Sequence, residues 1–226
     1  MEFSSVLSSA CDVVFRATLT DGSTCIVKVL RENGERKGQE FRIMKALQGK
    51  VRIPRILGYS EDISILGENF RKVLSPRFTY AEVIVMEDVK GECLNEEIVF
   101  TEEEGKRIAL QMVDLNQAMY ETGYLHGDLH PQNFIWDGEN LTLVDFGSSF
   151  SADFYQNFNQ DTFVPTYQHA KTFSKEPPSD LFLGEVAFDR KANLNDVYYY
   201  IYVCMCSVEK VKEGRMESFE DLRALI

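Results

Sequence analysis

The sequence predicts an α+β fold in two lobes, a small β-rich lobe over residues 1–88 and a mostly helical lobe over 89–226. Three observations predict it. Two β-branched runs flank an Asp-Gly turn near the start, a capped amphipathic pattern follows Gly91, and no repeat or low-complexity tract interrupts either part. At 226 residues the chain can bury a sizeable core, as one large domain or two small lobes.

The elements follow in order. Val13 to Leu19, the turn Thr20-Asp21-Gly22-Ser23, and Thr24 to Leu30 form a hairpin pattern. Residues 35–48 have helical spacing, with Phe41, Met44 and Leu47 on one face and a stop at Gly49. Pro54 to Tyr59 and Ala81 to Met86 read as two further strands, with an irregular connection over 60–79. After the join at 87–91, Thr101-Glu102-Glu103-Glu104 is a capping box, and Ile108, Met112, Leu115 and Met119 form one buried stripe ending near Gly123. Phe134 to Trp136 and Leu141 to Val144 flank Asp137-Gly138-Glu139-Asn140 as a second small hairpin. Residues 148–190 are loop-rich, and a helix is expected over Leu194 to Val208, with Val197, Ile201, Cys204 and Val208 on one side. Lobes of this kind are expected to take a ligand in the cleft between them.

Composition excludes several classes of partner. Lys and Arg total 24 against 36 Asp and Glu, a formal charge of −12, which argues against an extended nucleic-acid surface and against an anionic membrane surface. The five cysteines are odd in number, form no Cys-x-x-Cys pair, and at Cys204-x-Cys206 have no nearby His, so reduced and mostly buried thiols are expected. No apolar run approaches the ~20 residues of a membrane span. Met1-Glu2-Phe3 lacks the basic start of a signal peptide, so the expected location is cytoplasmic or nuclear.

The chemistry concentrates in His126-Gly127-Asp128-Leu129-His130-Pro131-Gln132-Asn133, followed by Asp145-Phe146-Gly147. One loop thus carries a carboxylate and an amide, and a second carboxylate stands just past a hairpin. Mg²⁺ prefers a few hard oxygen ligands together with phosphate oxygens and water. Asn133 and Asp145 can supply such oxygens, which leaves Asp128 to orient a hydroxyl and accept its proton.

His-x-Asp-x-x-x-x-Asn followed by Asp-Phe-Gly resembles the catalytic core of the protein-kinase-like superfamily. The resemblance implies a bilobal protein-kinase-like fold, ATP and Mg²⁺ as cofactors, and Asp128, Lys28 and Asn133 as catalytic residues, with Asn133 and Asp145 on the metal. Cys25-Ile26-Val27-Lys28 stands where the family has Val-Ala-Ile-Lys, so Lys28 would hold the α- and β-phosphates. Glu40 would be its ion-pair partner, with Glu35 the other candidate. Val85-Met86-Glu87-Asp88-Val89 is similar to the family's gatekeeper and hinge: Met86 would line the adenine pocket, and the backbones of Glu87 and Val89 would meet the adenine edge. Val14 and Ile26 would form its roof and Ile135 its floor, Ile26 replacing a usual alanine. Asn195-Asp196-Val197-Tyr198 resembles the start of the central helix of the helical lobe, which makes Asp196 structural, and His126 belongs to the packing beneath the loop.

Four departures qualify the resemblance. The glycine positions of the phosphate loop fall on Leu7, Ser9 and Asp12, and Asp12 adds negative charge near the phosphates. Gly127 stands where regulated kinases have arginine, and His130 replaces a common lysine, as in aminoglycoside and choline kinase-like loops. No Ala-Pro-Glu follows Asp-Phe-Gly, and the helical lobe reads as shortened. The expected function is therefore an atypical Ser/Thr protein kinase with a protein substrate. Two alternatives stand beside it, a small-molecule kinase and a pseudokinase that binds nucleotide or partners.

Overall fold

The structure, a computed structural model, describes residues 2–8, 12–32, 34, 36–94, 100–126, 131–151 and 223. The chain forms two compact units, Met1–Gly49 with Ile53–Val89, and Lys50–Arg52 with Lys90–Ile226. Residues 50–52 join the second unit because Leu143 N–H donates to Arg52 O at 3.0 Å, while the Arg52 guanidinium reaches Thr142 Oγ1 at 3.3 Å and Asp137 at 3.2 Å.

The first unit is built on an antiparallel sheet of five strands: β1 (Glu2–Ser8), β2 (Val13–Thr18), β3 (Thr24–Arg31), β4 (Ile56–Ser60) and β5 (Tyr80–Glu87), in the spatial order β1-β2-β3-β5-β4. The hairpin is as the Asp-Gly turn predicts. Asp21 accepts from Ser23 N–H at 2.9 Å, and Gly22 takes φ +85°, which only glycine adopts readily. Strand β1 was not foreseen; its short run, rich in serine, pairs with β2 alone.

Because successive side chains alternate, the register sorts the sheet into two faces. Val13, Phe15, Ala17, Cys25, Val27, Val29 and Val83 lie on one face and are buried. Leu66 and Phe70 pack on that face, Phe70 meeting Phe15 edge-on at 5.6 Å. Both come from the irregular connection, which holds a 3₁₀ turn (Ile63–Ile65) and the one-turn helix α2 (Glu68–Arg71). Covering this face is thus the structural role of residues 60–79, and each such buried side chain contributes roughly 1.5–3 kcal/mol.

The opposite face carries Val14, Ile26, Lys28, Glu82, Ile84 and Met86, since Val14 pairs with Lys28, Ile26 with Met86, Lys28 with Ile84 and Leu30 with Glu82. Helix α1 (Gln39–Leu47) meets this face. It starts later than residue 35 because residues 36–38 form a turn and Gly38 sits at φ +70°. Its buried residues are Glu40, Ile43, Met44 and Leu47; Phe41 is only half-buried and stacks on Tyr59 instead of joining the core stripe.

In the second unit, β6 (Glu92–Cys93), β8 (Phe134–Trp136) and β9 (Leu141–Leu143) form a small antiparallel sheet in the order β6-β8-β9. Gly91, at φ +128°, lies so close to the Trp136 carbonyl that a Cβ there would collide with it. Helix α3 (Glu102–Glu121) begins at the expected capping box: Glu104 N–H donates to Thr101 Oγ1 at 3.2 Å, and Thr101 N–H to Glu104 at 2.9 Å. These bonds hold the Glu104 carboxyl below its ordinary range. Ile108, Met112, Leu115 and Met119 are all buried. Arg223 donates to Asp114 and Gln117 of α3, both at 2.6 Å. A second pair, β7 (Tyr124–Leu125) with β10 (Phe150–Ser151), completes the described strands.

The expected helix over 194–208, Asp196, and the loop-rich segment beyond residue 151 lie outside the described residues. Of the cysteines, Cys25 is buried as expected, whereas Cys93 is exposed because strand β6 turns both its residues to solvent. Among the described residues no helix is long and apolar enough to cross a membrane.

Candidate active site

The site residues fall in both units, and each set is held by different means. In the first unit Lys28 is centred in β3, on the face that α1 covers. Its Nζ lies 2.8 Å from Glu40 Oε1, and both side chains are less than a tenth exposed. Two buried opposite charges at this distance stabilise one another only when both are present, since either alone would carry a large desolvation cost. The helix therefore fixes the position of the lysine ammonium. Glu35 lies outside the described residues. A second carboxylate, Asp12 Oδ2, is 3.8 Å from Lys28 Nζ, and Asp12 Oδ1 accepts from Arg31 N–H at 3.1 Å.

The apolar residues expected around adenine divide by strand. Val14 and Ile26 are half-buried on the Lys28 face, and Met86, opposite Ile26, is buried on it. Glu87 ends β5 with its backbone N–H donating to Arg55 O at 2.8 Å and its carboxylate accepting from Arg55 N–H at 3.2 Å. Val89 follows, half-buried. Between them Asp88 takes both arms of Arg16, Nε to Oδ2 at 3.0 Å and Nη2 to Oδ1 at 3.1 Å. Burial, reinforced by the Asp88 charge, pushes the Cys25 thiol up, so it stays protonated. The Arg16–Asp88 fork was not anticipated from the sequence, because residues 72 apart give no local pattern.

The second unit positions its residues through the backbone. Asn133 closes a 3₁₀ turn (Pro131–Asn133) and is buried; its carbonyl accepts from Val144 N–H at 2.9 Å, extending the β8–β9 ladder by one step. That bond brings Asn133 beside the residue that precedes Asp145. His126 Nε2 lies 3.0 Å from Val144 O, and its ring meets the buried Phe146 edge-on at 5.2 Å. Ser149, fully buried, donates from Oγ to the His126 carbonyl at 3.0 Å. Asp145 is thus gripped on both sides through Val144 and Phe146, while its own side chain is exposed. Among the described residues it is the one non-glycine with positive φ, +63°, a backbone state that costs energy and is retained where the surroundings impose it. Ile135 is half-buried in β8, opposite Thr142. Asp128 and His130 lie outside the described residues. The packing role expected for His126 matches its burial, and Ser149, which the sequence reading missed, serves the same loop.

Two chemistries are therefore in place: a cation fixed on a sheet face beside apolar residues, and hard oxygen donors at adjacent turns. Asn133 and Asp145 offer an amide and a carboxylate, a donor set suited to Mg²⁺.

The sequence matches the protein kinase domain family over residues 10–171. It is similar to a serine/threonine-protein kinase 1 of African swine fever virus, 27% identical over 118 residues, which cover 50% of this chain and 34% of that protein. It is also similar to a casein kinase I homolog of Encephalitozoon cuniculi, 32% identical over 115 residues, covering 48% of this chain and 33% of that protein. The chain thus spans about a third of the length of these relatives.

Proposed function

Since this chain belongs to the protein kinase domain family, we propose that it is an ATP- and Mg²⁺-dependent phosphotransferase, an atypical Ser/Thr protein kinase acting on a protein hydroxyl. The observation that carries the proposal is the buried Lys28–Glu40 pair at 2.8 Å. A lysine held by a buried carboxylate at the family's phosphate-binding position has a use, whereas as a packing device the pair would gain little over two apolar residues. The names of these two similar proteins, a serine/threonine-protein kinase and a casein kinase I homolog, support a protein acceptor.

In this mechanism Lys28 neutralises the α- and β-phosphates, and Val14, Ile26, Met86 and the backbone of Glu87 and Val89 take the adenine. Asn133 and Asp145 would hold Mg²⁺, which would supply charge neutralisation at the phosphates. Asp128 orients the acceptor hydroxyl and receives its proton as the oxygen attacks the γ-phosphorus. The bond from that phosphorus to the β,γ-bridging oxygen breaks, and ADP carries the electron pair away. Little covalent chemistry is asked of the protein, so positioning and electrostatics supply most of the rate.

Asp12 favours a second reading, a pseudokinase that binds nucleotide or partners without transfer. Its carboxylate stands 3.8 Å from the lysine that phosphates would need. The test is transfer of radiolabelled phosphate from ATP by the wild type and Asp128→Asn, offered protein acceptors and, separately, amino-alcohols. The proposal expects label on protein with the wild type and a loss of about 10²–10⁴-fold in the variant. Label on amino-alcohols alone would make it a small-molecule kinase, and no label on either acceptor would favour the scaffold.

A further inference from the structure

Helix α1 begins without a side-chain cap of its own, since its N-cap is Gly38. The missing acceptor comes from the sheet. Glu82, in β5, is 3% exposed, and its Oε2 accepts from Gly38 N–H at 2.8 Å and from the Tyr59 hydroxyl at 2.9 Å. In a capping box a glutamate of the helix itself reaches back to the N-cap N–H; here a strand supplies the carboxylate. Tyr59, in β4, then stacks its ring on Phe41 at 4.0 Å, with the planes 4° apart. Phe41 is the neighbour of Glu40. Register closes the argument: Ile84 pairs with both Lys28 and Tyr59, and Glu82 is two residues from Ile84, so all four side chains belong to one face of the sheet. Burial and the bond to Glu82 push the Tyr59 hydroxyl far above its ordinary value, so it remains a donor at neutral pH.

We infer that Glu82 is a positioning residue, which pins the start of α1 to the sheet and thereby sets Glu40 against Lys28. The first turn of the helix is fastened by two carboxylates of opposite origin, Glu82 from sheet to helix and Glu40 from helix to sheet. Tyr59 braces the first through its hydroxyl and, through its ring, the residue that follows Glu40. Gly38 itself is buried and holds φ +70°, a backbone state that favours glycine at this anchor. The sequence already carried a hint, a glutamate inside the apolar run Tyr80-Ala81-Glu82-Val83-Ile84-Val85-Met86, at a position whose parity matches Ile84 and Met86.

The inference rests on the kinase reading for its kinetic consequence only; its structural consequence is read on Lys28 directly. Intact protein is acylated with a water-soluble succinimidyl ester, and the rate at each lysine is followed by peptide mass spectrometry. The exposed Lys50 is the internal reference. Glu82→Leu is expected to speed acylation of Lys28 about tenfold relative to Lys50, the scale of losing a buried bonded anchor. Tyr59→Phe, which removes one of the two donors and folds more readily, is expected to give a few-fold increase. Glu82→Gln, whose carbonyl can accept both bonds, is expected to restore most of the protection. In transfer assays Glu82→Leu is expected to lower kcat/KM for ATP at least tenfold. Adding Glu82→Leu to Glu40→Gln is expected to cost little more than Glu40→Gln alone. Unchanged Lys28 labelling in folded Tyr59→Phe and Glu82→Leu would overturn the inference, as would fully additive losses with Glu40→Gln. A wild type without transferase activity would sink the kinase reading, while the labelling would still decide the role of Glu82.

Discussion

The two units hold their reactive groups in opposite ways. In the first, Lys28 and Glu40 are themselves part of the packed interior, and a second buried carboxylate, Glu82, holds the helix that brings them together. In the second, backbone bonds and the His126, Phe146 and Ser149 side chains do the holding, and Asp145 is left exposed on a backbone with φ +63°. Chemistry and stability should therefore be coupled in the first unit and separable in the second.

The largest separation is expected at Asp145. Asp145→Asn neutralises an exposed carboxylate proposed to hold Mg²⁺, so activity should fall about 10³-fold with little change in Tm. Circular dichroism melts beside a phosphate-transfer assay check both halves, and a large fall in Tm would break the comparison.

At Lys28 the expectation reverses. Lys28→Met should abolish transfer and also cost about 3–5 kcal/mol in urea unfolding, because Glu40 would be left charged and buried. Adding Glu40→Leu should recover most of the stability and none of the activity. If the single variant were as stable as the wild type, the pair would be contributing nothing to the fold.

Ser149→Ala tests the support beneath Asp145. Losing the bond to the His126 carbonyl should cost about 1–2 kcal/mol, with a smaller loss of activity than at Asp145.

The smallest effect concerns acid. Glu104, bonded by Thr101, and Asp137, bonded by the backbone N–H groups of Asn140 and Glu139, both have lowered pKa values in the fold. Their stabilisation is complete above the ordinary values of 4.5 and 3.8 and is lost as pH falls through the depressed ones. Melts of Glu104→Gln and Asp137→Asn should differ slightly from the wild type at pH 7 and converge with it towards pH 2–3.

What the sequence revealed was mostly local. The Asp-Gly hairpin, the capping box of α3 and its stripe at Ile108, Met112, Leu115 and Met119 depend on neighbours a few residues apart, and all are present. Lys28 and Glu40 were legible through the family resemblance, and they do meet. What escaped depends on partners far along the chain. Leu66 and Phe70 stand in the mixed run Ile63-Ser64-Ile65-Leu66-Gly67-Glu68-Asn69-Phe70, which has neither strand nor long-helix spacing, and nothing nearby says that they cover a sheet face. Gly38 moved the start of α1 because its left-handed backbone suits a turn, and the acceptor for its N–H is 44 residues away in Glu82. Arg16 with Asp88 and Ser149 with the His126 carbonyl are long-range in the same sense.

The claim that both differently built sets of residues serve ATP and Mg²⁺ is tested most directly by a thermal-shift titration with ATP, with and without Mg²⁺, on the wild type and Asp145→Asn. Binding to the folded state alone raises Tm in proportion to the logarithm of ligand over Kd. The expected result is a wild-type shift that grows when Mg²⁺ is added, and in Asp145→Asn a residual ATP shift that Mg²⁺ no longer increases. No shift of the wild type at millimolar ATP, or a Mg²⁺ increment unchanged in Asp145→Asn, would contradict it.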